Sequence, residues 1–160
     1  MNNHGKSSLS RWLVSVSGLC LALVLGKDFA AWGATYYVAQ MGNDSNPGTL
    51  IQPFRSFAQG ISMLQPGDTL YIRGGVYTES IDTGKKVGTV NNYITIAAYQ
   101  GETVTLQPPS YPSCKYAIVP RTMSYIILDG LVWDGSMGCN GPYGFRIVGG
   151  THHLIVQNME

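Results

Sequence analysis

The 160-residue chain has room for about one domain, and its formal charge of +1 shows no strong basic excess. With residues 1–33 set aside, seven basic groups (Arg55, Arg73, Lys85, Lys86, Lys115, Arg121, Arg146) face eight acidic ones (Asp44, Asp68, Glu79, Asp82, Glu102, Asp129, Asp134, Glu160), a balance of −1. That excludes the electropositive footprint of a nucleic-acid binder, and no nucleic-acid partner is expected.

The first predicted element is a secretory signal peptide over residues 1–33. Lys6 and Arg11 form a basic start, Trp12 to Leu25 a 14-residue apolar run broken only by Ser15, Ser17 and Gly18, and Ala31-Trp32-Gly33 a small-x-small cleavage site. As a helix the run would span roughly 21 Å, short of the ~30 Å hydrocarbon core, which argues against an uncleaved anchor. Cys20 follows Leu19 rather than Gly or Ala, which argues against lipid attachment. The mature chain is therefore expected outside the cell or in the periplasm, free of the membrane after cleavage.

Residues 34–67 are expected to hold a first strand, a turn and an N-terminal capping helix. "TYYVAQ" is β-branched and aromatic, and the "GNDSNPG" cluster stops it. The helix is expected in "PFRSFAQGISMLQ", where Phe54, Phe57, Ala58, Ile61 and Leu64 make one apolar stripe. Pro53 suits its first position and Pro66-Gly67 its far end. Gly60 weakens it by about 1 kcal/mol against Ala, so packing must hold it.

From 68 to 160 the pattern is short strand, turn, short strand. "LYIRGG" (70–75), "YITIAAY" (93–99), "YIILDGL" (125–131) and "HLIVQNM" (153–159) share a shape, and aligning Ile72, Ile96, Leu128 and Val156 gives intervals of 24, 32 and 28 residues. Such periods mark stacked supersecondary units, and near-continuous apolar strands mark parallel sheets. The expected fold is all-β, a right-handed parallel β-helix (a solenoid) with an N-terminal capping α-helix. Cys114 and Cys139 are 25 residues apart, close to one coil, and neither sits in a metal-type C-x-x-C pair. An oxidising compartment favours a disulfide between them. Adjacent coils about 4.8 Å apart would permit it, with a gain of roughly 3 kcal/mol.

Residues 35–159 carry a resemblance: "YYV", "GNDSNPGT", "QPF", "QPGDTLYIRGGVYTE", "IILDGLVWDG" and "HHLIVQN". Together they resemble the opening of secreted pectate-lyase-like β-helix proteins, among them family-nine pectate lyases and chondroitinase-B-like lyases. The resemblance implies that the Gly42–Gly48 turn leads from a first strand into a capping helix. It also implies a polysaccharide lyase that breaks polyuronate chains by β-elimination, with calcium possible in the full-length protein and an acidic polysaccharide as partner. A non-catalytic, adhesin-type glycan-binding β-helix is the competing reading, with an epimerase or hydrolase as a third. A monomer is expected.

Each candidate for that chemistry has a plainer use. Asp44-x-Asn46-x-Gly48 looks like a fragment of a calcium loop but lacks the later ligands, so it reads as a turn. Asp129 and Asp134 could hold a cation, though Asp-Gly is first a turn signature. Asp68 in "PGDTL" reads as a turn residue. Lys85-Lys86 reads as a solvated face. His152-His153 should point to opposite faces as strand neighbours, which argues against a metal pair. Tyr36, Tyr37, Tyr71, Tyr77, Tyr93 and Tyr99 could stack sugars or serve as core and ladder residues. Arg146 alternates with Phe145 and Ile147, so it should point outward, and it is the candidate contact for a polyanion. No catalytic residue is assigned. The sequence ends within "LIVQNME" without a closing element, so the expectation is an N-terminal portion of a longer protein, with catalytic residues beyond 160.

Overall fold

Short apolar strands separated by turns cannot bury their inward faces alone, so they must stack on one another. The computed structural model describes residues 33–107, 116–119, 123–135, 146–147 and 149–160. Their elements in order are β1 (Thr35–Val38), α1 (Phe57–Met63), β2 (Thr69–Ile72), β3 (Gly75–Tyr77), β4 (Ile81–Asp82), β5 (Ile94–Ala98), β6 (Val104–Leu106), β7 (Ile118–Val119), β8 (Ser124–Asp129), β9 (Leu131–Trp133) and β10 (His152–Gln157). They make three sheets, ordered β1-β2-β5-β8-β10, β3-β6-β9 and β4-β7. Every pairing between these strands is parallel. From β2 to β9 the chain visits the three sheets in strict rotation, one strand each, before returning to the first.

The register explains the core. Tyr36, Leu70, Ile96, Leu128 and Val156 stand opposite one another in sequence order, beside a second inward column of Ile94, Ile126 and Leu154. Leu70, Ile96 and Leu128 are at most 1 % exposed. Burying each such side chain stabilises by about 1.5–3 kcal/mol. Ile72 does not align with Ile96 as the spacing suggests: Ile72 faces Ala98, and Leu70 faces Ile96. A slip of two residues leaves every side chain on its own face, so alternation alone cannot detect it.

The helix also starts later than the sequence suggests. Ser56 is its N-cap, with extended backbone and a hydroxyl that accepts from the Gln59 amide. Pro53 and Phe54 lie before it, and Phe54 instead forms a parallel bridge with Val38. The helix packs against β1 and β4. A Cβ at Gly60 would stand 2.8 Å from Val38 Cγ2 and 2.9 Å from Leu70 Cδ1, so glycine is what lets this helix lie so close. Among the described residues, no helix is long and apolar enough to cross a membrane.

Candidate functional site

The Gly42–Phe54 segment is a turn built by its own side chains. Asn43 Oδ1 accepts from the Ser45 amide (2.9 Å), Asn46 Nδ2 donates to the Pro53 carbonyl (2.9 Å), and Gly48 takes φ 79°. Asp44 reaches across it: Oδ1 accepts from the Arg55 and Ser56 amides (2.8 and 2.9 Å), and Oδ2 from the Ser56 hydroxyl (2.8 Å). Burial pushes its carboxyl up, but the hydrogen bonds from Ser56 and Arg55 outweigh that and hold it below the usual range. Both oxygens are thus engaged in orienting the residues that lead into α1. The turn does not fit a calcium ion.

The other acidic candidates are engaged in the same way. Asp129 accepts from Gln157 Nε2 (3.0 Å) and Asn158 Nδ2 (2.7 Å), joining β8 to the next coil. Asp134 accepts from Gln107 Nε2 (2.9 Å). Gly130, between β8 and β9, has φ 67°, as the Asp-Gly turn signature requires. Asp68 is more than a turn residue: 5 % exposed, it accepts from the Ala34 and Gln65 amides at 2.7 and 2.8 Å. No group of three or more His, Cys, Asp or Glu converges among the described residues.

Arg146 is exposed beside the β4–β7 sheet. Its amide donates to the Ile118 carbonyl (3.2 Å), as the Ile81 amide does to Ala117, which aligns Arg146 with Val119 and Asp82. Asp82 and Arg146 are both exposed. The Arg146 guanidinium lies over the Tyr116 ring at 5.2 Å, a cation–π contact that fixes where the charge is presented. Strict alternation fails beside it, since Ile147 is 60 % exposed as well.

An open concavity lies between α1 and the turn after β4, lined among others by Ala58, Ile61, Asp82, Thr83 and Lys85. Lys86 is not a solvated cation. Its ammonium donates to the Ser62 and Leu64 carbonyls, both at 2.8 Å, and closes the end of the helix. Glu79 serves the other end by accepting from the Phe57 amide (2.9 Å), and burial pushes its carboxyl up.

The six tyrosines divide by place. Tyr77 is in the core, 2 % exposed, with its hydroxyl donating to the Arg73 carbonyl, and burial pushes it up to about 12. Tyr36 packs on the core beside Phe54. Tyr37, Tyr71 and Tyr99 form an outward cluster with centroids 5.7–5.8 Å apart. Arg73 lies over Tyr99 and pairs with Glu102 at 2.7 Å, a forked contact that the sequence offered no local signal for. That bond, with burial opposing it, raises Arg73, and it holds the Glu102 carboxyl down. Tyr93 meets Tyr125 edge-on at 5.5 Å. Cys114, Cys139 and residues 1–32 lie outside the described residues.

Known proteins place these features in a family. The profile described as "Pel9A-like, right handed beta helix region" matches residues 36–160. Pectate lyase PEL9 of Emericella nidulans is 32% identical over 123 residues, covering 72% of this chain and 30% of that protein. The uncharacterized protein YwoF of Bacillus subtilis is 36% identical over 84 residues, covering 52% of this chain and 18% of that one. The chain thus spans less than a third of the length of these curated relatives. Among solved structures, a rhamnogalacturonan lyase superposes with a TM-score of 0.54 at 23% identity, over 63% of this chain and 28% of that one. The lacto-N-biosidase of Eubacterium ramulus does so with 0.57 at 23%, over 69% and 22%. At that identity the solved structures speak for the fold alone. The rotating parallel strands and the matched span from Tyr36 to Glu160 together make this chain a member of the Pel9A-like right-handed β-helix family.

Proposed function

We propose that this chain belongs to a secreted, carbohydrate-active β-helix protein that cleaves acidic polysaccharides of the pectate type by β-elimination. The observation that carries the reading is the 32% identity to a pectate lyase, which runs over 123 residues rather than one motif. In such a reaction a base removes the proton α to the uronate carboxylate, the glycosidic oxygen leaves, and an unsaturated sugar end forms. The part assigned to this chain is substrate contact. Arg146, exposed and steadied by Tyr116, offers a guanidinium to a uronate carboxylate, a charge-assisted pairing whose geometry suits a forked bond. Base and calcium ligands are assigned to none of the described residues. Calcium is proposed for the whole protein, as are α1 as an end cap, export through residues 1–33, and a monomeric state.

The test is to express the full-length gene product with its leader, collect the medium, and add polygalacturonate. The expected result is a protein in the medium beginning near Ala34 and a rise in ultraviolet absorbance from unsaturated ends, abolished by a calcium chelator. Arg146→Ala should raise KM more than it lowers kcat. Retention of polygalacturonate without unsaturated product would replace the lyase with a glycan-binding β-helix. Neither binding nor product would end both readings.

A further inference from the structure

Adjacent strand residues should point apart, yet His152 and His153 do not. Their Nδ1 atoms are 2.7 Å apart, and both residues are exposed. The cause is the backbone at His153, which has φ 53°. Tyr125, one coil earlier, has φ 55° and occupies the matching position, since Ser124 faces His152 and Ile126 faces Leu154. Left-handed backbone is uncommon outside glycine; histidine adopts it more readily than most residues, whereas at Tyr125 it costs of order 1–3 kcal/mol. Here it converges two imidazoles. The Tyr125 ring then fixes them, lying flat on His153 (4.5 Å, 13°) and edge-on to His152 (5.7 Å, 88°).

We propose that His152 and His153 form a two-imidazole chelate for a borderline transition-metal cation of the Ni²⁺, Cu²⁺ or Zn²⁺ class, with water completing the coordination. Two imidazole nitrogens bound at about 2.0–2.1 Å in neighbouring positions lie roughly 2.9–3.4 Å apart, so the pair must open by only a few tenths of an ångström. Without metal, one Nδ1 donates its proton to the other. When a metal takes both Nδ1 atoms, the donating ring carries its proton on Nε2 instead, so both imidazoles bind as neutral ligands. Nitrogen donors select these ions over calcium. The site is independent of the proposed lyase chemistry. The chain's three histidines are His4, in the predicted leader, and this pair, so the assignment is easily isolated.

The experiment titrates the full chain with Ni²⁺ and with Zn²⁺ by calorimetry, then follows Ni²⁺ broadening of assigned side-chain resonances. One ion per chain is expected, with the His152, His153 and Tyr125 ring signals broadened first and no competition from Ca²⁺. His153→Asn is the informative variant, because asparagine tolerates left-handed backbone while removing the ligand. It should keep the fold and weaken binding by at least about tenfold. His152→Gln should match it, and His4→Gln should change nothing. Undiminished binding in His153→Asn, or broadening centred away from Tyr125, would overturn the proposal.

Discussion

The two sides of the five-stranded sheet make an instructive contrast. On the β1 side the chain covers its own edge. The Tyr37 amide donates to Gly48, the Phe54 amide to Tyr37, and the Ala39 amide to Phe54, while α1 packs close behind. On the β10 side the inward pattern is just as good, but Val156 is 45 % exposed among the described residues. Val156 continues the column in which Leu70 and Leu128 are fully buried. An inward-facing position is therefore only a permission to be buried. A neighbouring coil, loop or helix has to supply the contact.

If the turn and helix packed beside β1 stabilise that edge, removing their contacts should cost stability in a definite order. Phe57→Ala should cost most, about 3–5 kcal/mol, because the ring is fully buried and packs 4.9 Å from Tyr77. Chemical denaturation of wild type and variant reads this directly.

Asp44→Ala should cost about 1 kcal/mol at neutral pH, the usual worth of a side chain that holds helix-entry amides. The folded carboxyl sits below its ordinary value, so its contribution is complete above the carboxylate range and is lost as pH falls through the folded value. The gap between wild type and Asp44→Ala should accordingly close in acid. Glu79, pushed up by burial, works the other way and favours folding as it takes up a proton. Comparing the two proteins at each pH cancels most of that contribution. Lys86→Met should cost least, a few tenths to about 1 kcal/mol, since it removes the ammonium from the helix end but keeps most of its stem.

What the sequence showed follows the same division. The repeating inward columns were legible wherever apolar residues alternate, and Ile96, Leu128 and Val156 align as the spacing implies. The β2 register was not, because a two-residue slip preserves every face. Pro53 suggested too early a helix start because Phe54 is drawn into pairing with Val38, a contact that periodicity does not encode. The Gly42–Gly48 turn was legible since its bonds are mostly local. Lys86 was not, because its partners lie 22 and 24 residues away. At the histidine pair the rule of alternation held for the strand but failed at one residue, whose φ no sequence pattern announces. Alternation does not hold at Arg146, since Ile147 is exposed beside it, yet its amide bond to Ile118 brings it near exposed Asp82.

The most direct measurement is the pair Leu128→Ala and Val156→Ala in the 160-residue chain, compared in one denaturation series. The two residues face each other in the same column, so pattern alone predicts equal effects. The contact account predicts a loss of about 2–5 kcal/mol for Leu128→Ala and well under about 1 kcal/mol for Val156→Ala. Equal losses would contradict it, by showing that Val156 is covered in solution as fully as Leu128.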